Sequence, residues 1–218
     1  MAEVDDPYYK LLFEKNKTWV EKELKNDPLY FDKLQAKQSP RILWIGCADS
    51  LVTPETLLAA RPGEVFTYRN VANVCVHTGM AFLGAMDYAV THLHVDQVIV
   101  CGHYGCGGIK AAMSEPKHGP VDNWLCHIKD VYRYHNQELD ALHSEEERFQ
   151  RLVELNVHEQ VLNAAGSSIV QAAWQTGRKL SIHGWVFDIR TGMVVDLGCT
   201  LSRRSVLEKG LKNSTITK

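Results

Sequence analysis

His103 and Cys106 stand three positions apart in the stretch Val100-Cys101-Gly102-His103-Tyr104-Gly105-Cys106-Gly107-Gly108. An imidazole and a thiolate at that spacing, on a turn rich in glycine, can face one crevice and bind one metal ion. Mixed nitrogen and sulfur donors favour zinc. A further donor is Cys47, in Cys47-Ala48-Asp49-Ser50, where another apolar run ends. Two cysteines and a histidine leave a fourth position open, the composition of a catalytic zinc site rather than a structural one. Spacing alone leaves the plainer alternative standing, a core histidine beside two inert thiols.

Bringing these three side chains together takes strands that end side by side. The run Ile42-Leu43-Trp44-Ile45-Gly46 reads as a strand over 41–46 that leads into the Cys47 turn, with a short helix starting near Pro54-Glu55. A strand over 64–69, an apolar helix over 79–93 and a strand over 96–102 follow, and a helix-forming segment begins at Ile109. Strands alternating with helices imply parallel pairing with right-handed crossovers. Both ligand turns leave the carboxyl ends of strands, where open α/β sheets place their ligands.

The rest of the chain frames that core. Asp6-Pro7 is a capping pair that starts an amphipathic helix running to about Glu23, and a second helix spans Phe31 to Leu34. This arm, residues 1–36, has too little core of its own and is expected to pack on a partner subunit or on the rear of the main domain. Residues 115–143 form a polar helical excursion. Ser144-Glu145-Glu146-Glu147 caps a helix through Leu162, and Ser167 to Trp174 form another. A strand over 179–187 pairs with 193–198 as a hairpin, and a tail helix begins at Leu201. Residues 1–218 show no repeat or linker and read as one domain.

Bulk properties exclude several partners. The formal charge of −2 comes without a basic stripe, so nucleic acid is not expected. No apolar run approaches the roughly 18 residues of a membrane span. The acidic start Met1-Ala2-Glu3-Val4-Asp5-Asp6 argues against a signal or transit peptide, and a cytoplasmic location is expected. Six cysteines are then free thiols rather than three disulfides, and Cys75, Cys101, Cys126 and Cys199 are expected to be buried.

The blocks Cys47-x-Asp49-Ser50, Arg69-Asn70-Val71-Ala72-Asn73 and Cys101-Gly102-His103-x-x-Cys106-Gly107-Gly108-Ile109 together resemble the β-class carbonic anhydrases. The likeness runs from Gln38-Ser39-Pro40 to about Ser181-Ile182-His183-Gly184-Trp185. It implies an α/β fold, a mostly parallel central sheet flanked by helices, with an N-terminal helical arm and a C-terminal hairpin strand. It implies a zinc lyase that interconverts CO2 and bicarbonate, assembled as a homodimer or a multiple of dimers. Cys47, His103 and Cys106 match the zinc ligands. Asp49 matches the catalytic carboxylate that accepts a hydrogen bond from zinc-bound hydroxide. Gln38 matches the amide beside the substrate, with the Gly107 backbone close by. Phe66, Val71 and Tyr88 match the apolar lining of the CO2 pocket. Without the likeness, those three are ordinary core residues and Gln38 a surface amide.

One position departs from the family pattern Cys-x-Asp-x-Arg: this chain has Leu51 where the arginine belongs. In the family the guanidinium grips the aspartate through two parallel hydrogen bonds and turns it from the metal. Leucine offers neither donor nor charge, so Asp49 is expected to be free to become the fourth zinc ligand. A carboxylate at pH 7 needs no deprotonation to bind, whereas water does. Activity is therefore expected to be weak or absent near neutrality and to return at alkaline pH. The rival readings are a non-catalytic zinc-bound paralogue, acting as an interaction or bicarbonate-responsive subunit, and a hydrolase of CS2 or COS. Trp44 and Arg69 match two residues of a regulatory bicarbonate pocket found in one subfamily. Phe187 replaces its tyrosine, which puts that regulation in doubt, and Arg69 reads equally as a structural ion-pair partner.

Overall fold

A computed structural model describes residues 6–36, 38–115 and 119–202. The chain forms two compact units, one up to Ser39 and one from Pro40 onward. In the first, helix α1 (Pro7–Asn26) begins where the Asp6 side chain accepts from the Tyr8 amide, with Pro7 at its first position. Asp27 and Pro28 end it. Helix α2 (Tyr30–Ala36) then returns so that Tyr30 and Phe31 meet Trp19 edge-on. No residue of α1 is buried.

The second unit is a five-stranded sheet. In chain order its elements are β1 (Ile42–Cys47), α3 (Pro54–Leu57), β2 (Val65–Asn70), α4 (Met80–Asp87), β3 (Gln97–His103), α5 (Gly107–Ala112), α6 (Val121–Tyr134), α7 (Asn136–Asp140), α8 (Glu145–Gly166), α9 (Ser168–Gln175), β4 (Ser181–Asp188) and β5 (Met193–Asp196). The sheet order is β2-β1-β3-β4-β5, parallel except for β5, which runs antiparallel to β4. The chain turns outward from β1 to β2, then crosses back to β3 on the other side of β1. The gap between the ends of β1 and β3 is thus the switch point at which such sheets open a crevice.

The apolar runs of β1 and β3 are buried on both faces, as strands in the middle of a parallel sheet must be. Leu43, Ile45, Val98, Val100, Ile182 and Val186 face the larger core, while Trp44, Ile99, Cys101 and Phe187 face a smaller one. Helix α8, started by a capping box between Ser144 and Glu147, lies on the larger face. Gly102 and Gly184 allow its close approach: a Cβ at Gly102 would fall 2.7 Å from Val157 Cγ2.

Two expectations need correction. The segment 79–93 is an α-helix only to Asp87 and widens into a π-turn over Tyr88–His92. Cys126 is exposed, because Leu125, Ile128 and Val131 form the buried stripe of α6 and residue 126 falls off that face. Cys75 and Cys101 are buried and Cys199 is half-buried. The expected tail helix falls on 203–218, outside the described residues, while Leu201 makes an antiparallel bridge to Ile182.

Candidate metal centre

Cys47 is the last residue of β1, His103 the last of β3, and Cys106 immediately precedes α5. Gly105, with φ 79°, supplies the left-handed bend that turns the chain from strand to helix between the second and third of them. The side chains converge as expected. The two sulfurs lie 3.9 Å apart, and one donor atom from each of the three residues lies within 4.8 Å of the other two. All three residues are buried. The sulfur separation is almost twice a disulfide bond of about 2.05 Å, so these are facing thiols rather than a cross-link.

His103 is oriented for coordination. Its Nδ1 donates to the Tyr104 carbonyl at 3.2 Å, which leaves the lone pair on Nε2. That Nε2 is buried and has no hydrogen-bond partner. A buried polar atom left unpaired is costly, and a metal ion bound there removes the cost. The donor set and the orphaned nitrogen fit a metal ion.

Cys47 is pushed down to about 4, chiefly by the hydrogen bond from Cys106 and against the pull of burial. His103 and the backbone amides of Asp49 and Ala72 also favour its thiolate. The same thiol contact and burial push Cys106 up, while the Ile109 and Gly108 amides pull the other way. Burial disfavours a charged His103, but the Cys47 thiolate and the Asp49 carboxylate outweigh it and raise its pKa.

Asp49 sits at the rim. Its Oδ1 accepts from the Leu51 amide at 2.9 Å, and its Oδ2 lies 3.9 Å from His103 Nε2. Arg69 does not touch the carboxylate. Its Nε donates to the Cys47 carbonyl at 2.8 Å and its Nη2 to the Asp49 carbonyl, so the guanidinium clamps the turn. Trp44 and Phe187, the other two residues of the bicarbonate-pocket comparison, are buried together in the smaller core.

A model of the family described as "Carbonic anhydrase" matches residues 42–194, and that span contains the whole cluster. The chain belongs to the β-carbonic anhydrase family. A carbonic anhydrase of Emericella nidulans is 43% identical over 186 residues, covering 85% of this chain and 82% of its own. One from Saccharomyces cerevisiae is 33% identical, covering 82% and 84%. The fold agrees. A Coccomyxa β-carbonic anhydrase solved in complex with acetazolamide superimposes with a TM-score of 0.86 at 34% identity over the whole of both chains. A tetrameric β-carbonic anhydrase of Sordaria macrospora gives 0.85 at 36% identity, over 90% of this chain and all of its own.

The other residues expected of a β-carbonic anhydrase site fall on several elements. Val71 packs over Gly108, where a Cβ would lie 2.7 Å from Val71 Cγ1. Phe66 and Tyr88 stack as a pair with centroids 5.6 Å apart, and Tyr88 is 45% exposed. Gly107 opens α5 beside Cys106. Gln38 is exposed and lies in the N-terminal unit. Sequence reasoning missed the brace behind the site. Asn70 bonds Val74 through both its side-chain atoms, and the buried Asn156 donates to the Ala72 carbonyl at 3.0 Å. A signal for the latter was present: Asn156 and Gln160 interrupt an apolar stripe at helical spacing.

Proposed function

We propose that the chain is a zinc-dependent carbonic anhydrase interconverting CO2 and bicarbonate, held nearly silent at neutral pH by Asp49. The convergence of Cys47, His103 and Cys106 at the sheet's switch point carries the reading. Zinc fits the spacing, since tetrahedral bonds of about 2.3 Å put two sulfurs about 3.8 Å apart, against 3.9 Å here. When bound, zinc supplies a Lewis acid that makes water acidic enough to react near neutrality.

The chain's own residues set the conditions for that chemistry. Tyr104 fixes the His103 tautomer, and Arg69 fixes the carbonyls of the turn that carries Cys47 and Asp49. The Leu51 amide holds only one oxygen of Asp49 and leaves the other on the ligand side. No guanidinium at position 51 draws the carboxylate away, so with zinc bound Asp49 could serve as a further ligand in the place water would otherwise take. Val71, Phe66 and Tyr88 are the candidates to receive apolar CO2. On the family likeness, Gln38 and the Gly107 backbone are the candidate donors to bicarbonate. Exposed aromatic and aliphatic side chains along α1 support assembly into dimers or multiples of dimers.

The same placement of Asp49 supports a rival, a zinc-bound paralogue that does not turn over. Stopped-flow CO2 hydration from pH 6.5 to 9.5, on the native chain and on Leu51→Arg, separates the two. The proposal expects little native activity at pH 7, a rise toward alkaline pH, and at least a tenfold gain at pH 7 in the arginine variant. Fast native hydration at pH 7 would refute the Asp49 block. Inactivity of both proteins at every pH would favour the rival.

A further inference from the structure

Beside the metal ligands lies a turn that the backbone adopts only under constraint. Ala72 and Asn73 both take left-handed angles, φ 61° and 48°, a conformation disfavoured for residues with a Cβ. The turn is fastened from several sides. Asn156 Nδ2 donates to the Ala72 carbonyl at 3.0 Å, and Gln160 Oε1 accepts from the Cys75 amide at 2.7 Å. Gln160 Nε2 donates to Asn156 Oδ1 at 3.2 Å, so the two amides of α8 also hold each other. Trp124 Nε1 donates to the Val71 carbonyl at 2.8 Å.

Asn156 and Gln160 are each only 1% exposed, amid Leu152, Val153, Val157 and Val161. Buried amides in an apolar stripe lower stability unless every polar atom is matched, so their position points to a use. The turn they hold adjoins both segments that carry the sulfur ligands. Ala72 packs against Gly108, two residues past Cys106, and Asn70, the residue before the turn, pairs with Cys47 at the end of β1.

We propose that Asn156 and Gln160 are positioning residues for the metal centre: the amide pair on α8 fixes the Ala72–Asn73 turn and, through it, the end of β1 that carries Cys47 and the start of α5 that follows Cys106. The inference rests on the assignment of Cys47, His103 and Cys106 as metal ligands. Relaxing the turn would let the strand end and the helix start move apart, so the two sulfurs would no longer be held at a spacing that suits one ion. Partners behind metal ligands typically alter affinity by about 10–100-fold.

The test uses the full chain loaded with Co2+, whose thiolate-to-cobalt absorption reports on the sulfur. Asn156→Leu and Gln160→Met are compared with Gln171→Ala, which removes a side-chain bond to the Ala165 carbonyl away from the centre. Asn156→Ser replaces the leucine variant if that one does not fold. The proposal expects the band to change in energy or intensity and the cobalt Kd, measured by chelator competition, to rise about tenfold in both α8 variants but not in Gln171→Ala. Unchanged band and Kd in variants destabilised like Gln171→Ala would overturn it. Absence of the band from the wild-type protein would overturn the ligand assignment itself, and this inference with it.

Discussion

At the scale of the residue, the centre is decided by which atoms are left without partners. His103 Nε2 is buried and unpaired, while the other ring nitrogen is committed to a carbonyl. Each of the three buried donors is needed to hold an ion tightly, since Asp49 at the rim is a poor substitute for a buried thiolate or imidazole. His103→Ala or Cys106→Ser is therefore expected to abolish stoichiometric metal, read by elemental analysis after dialysis. Arg69 is a different case, since it grips two carbonyls with one planar fork. Arg69→Ala is expected to lower stability by about 1–3 kcal/mol in urea denaturation. Arg69→Lys should not restore it, because a single ammonium lacks that fork geometry. Equal stability of wild type and Arg69→Ala would show that the clamp contributes nothing.

At the scale of the element, the site is made by two strands that end together and by the helices that back them. Gly108 lies under Val71 and Ala72, with no room for a methyl group. Gly108→Ala should push the turn off α5, costing about 1–3 kcal/mol in thermal or chemical unfolding and weakening metal binding. Much of this was legible in the sequence. Apolar runs at Ile42–Ile45 and Val98–Cys101, each followed by a turn, announced buried parallel strands, and the ligands stood just beyond them. What was not legible depends on tertiary placement. Nothing local says that Arg69 reaches back across the sheet to carbonyls on β1 and its turn, or that Asn156 meets a carbonyl 84 positions away. The exposed Cys126 shows the same limit, because apolar neighbours in sequence do not fix which face a helical residue takes.

At the scale of the whole molecule, charge and assembly follow from groups remote from the centre. Glu159 is held down at about 2; burial opposes its charge, and hydrogen bonds and charge from His135 and His158 more than offset that. A depressed folded pKa contributes stability that is present above the ordinary value near 4.5 and is lost as pH falls from there toward 2. Glu159→Gln should flatten the fall of Tm across that window, and an unchanged curve would remove Glu159 from the account. In the N-terminal unit, Leu12→Glu with Trp19→Glu puts charge on an exposed apolar face. Light scattering on the full chain should then show a smaller assembly than wild type. The central claim, that Cys47, His103 and Cys106 hold zinc, is tested most directly by zinc-edge X-ray absorption on the full chain at pH 7. The account predicts one zinc per chain with two sulfurs at about 2.3 Å, completed by lighter nitrogen and oxygen ligands. A chain that binds no zinc, or a zinc shell without sulfur, would contradict it.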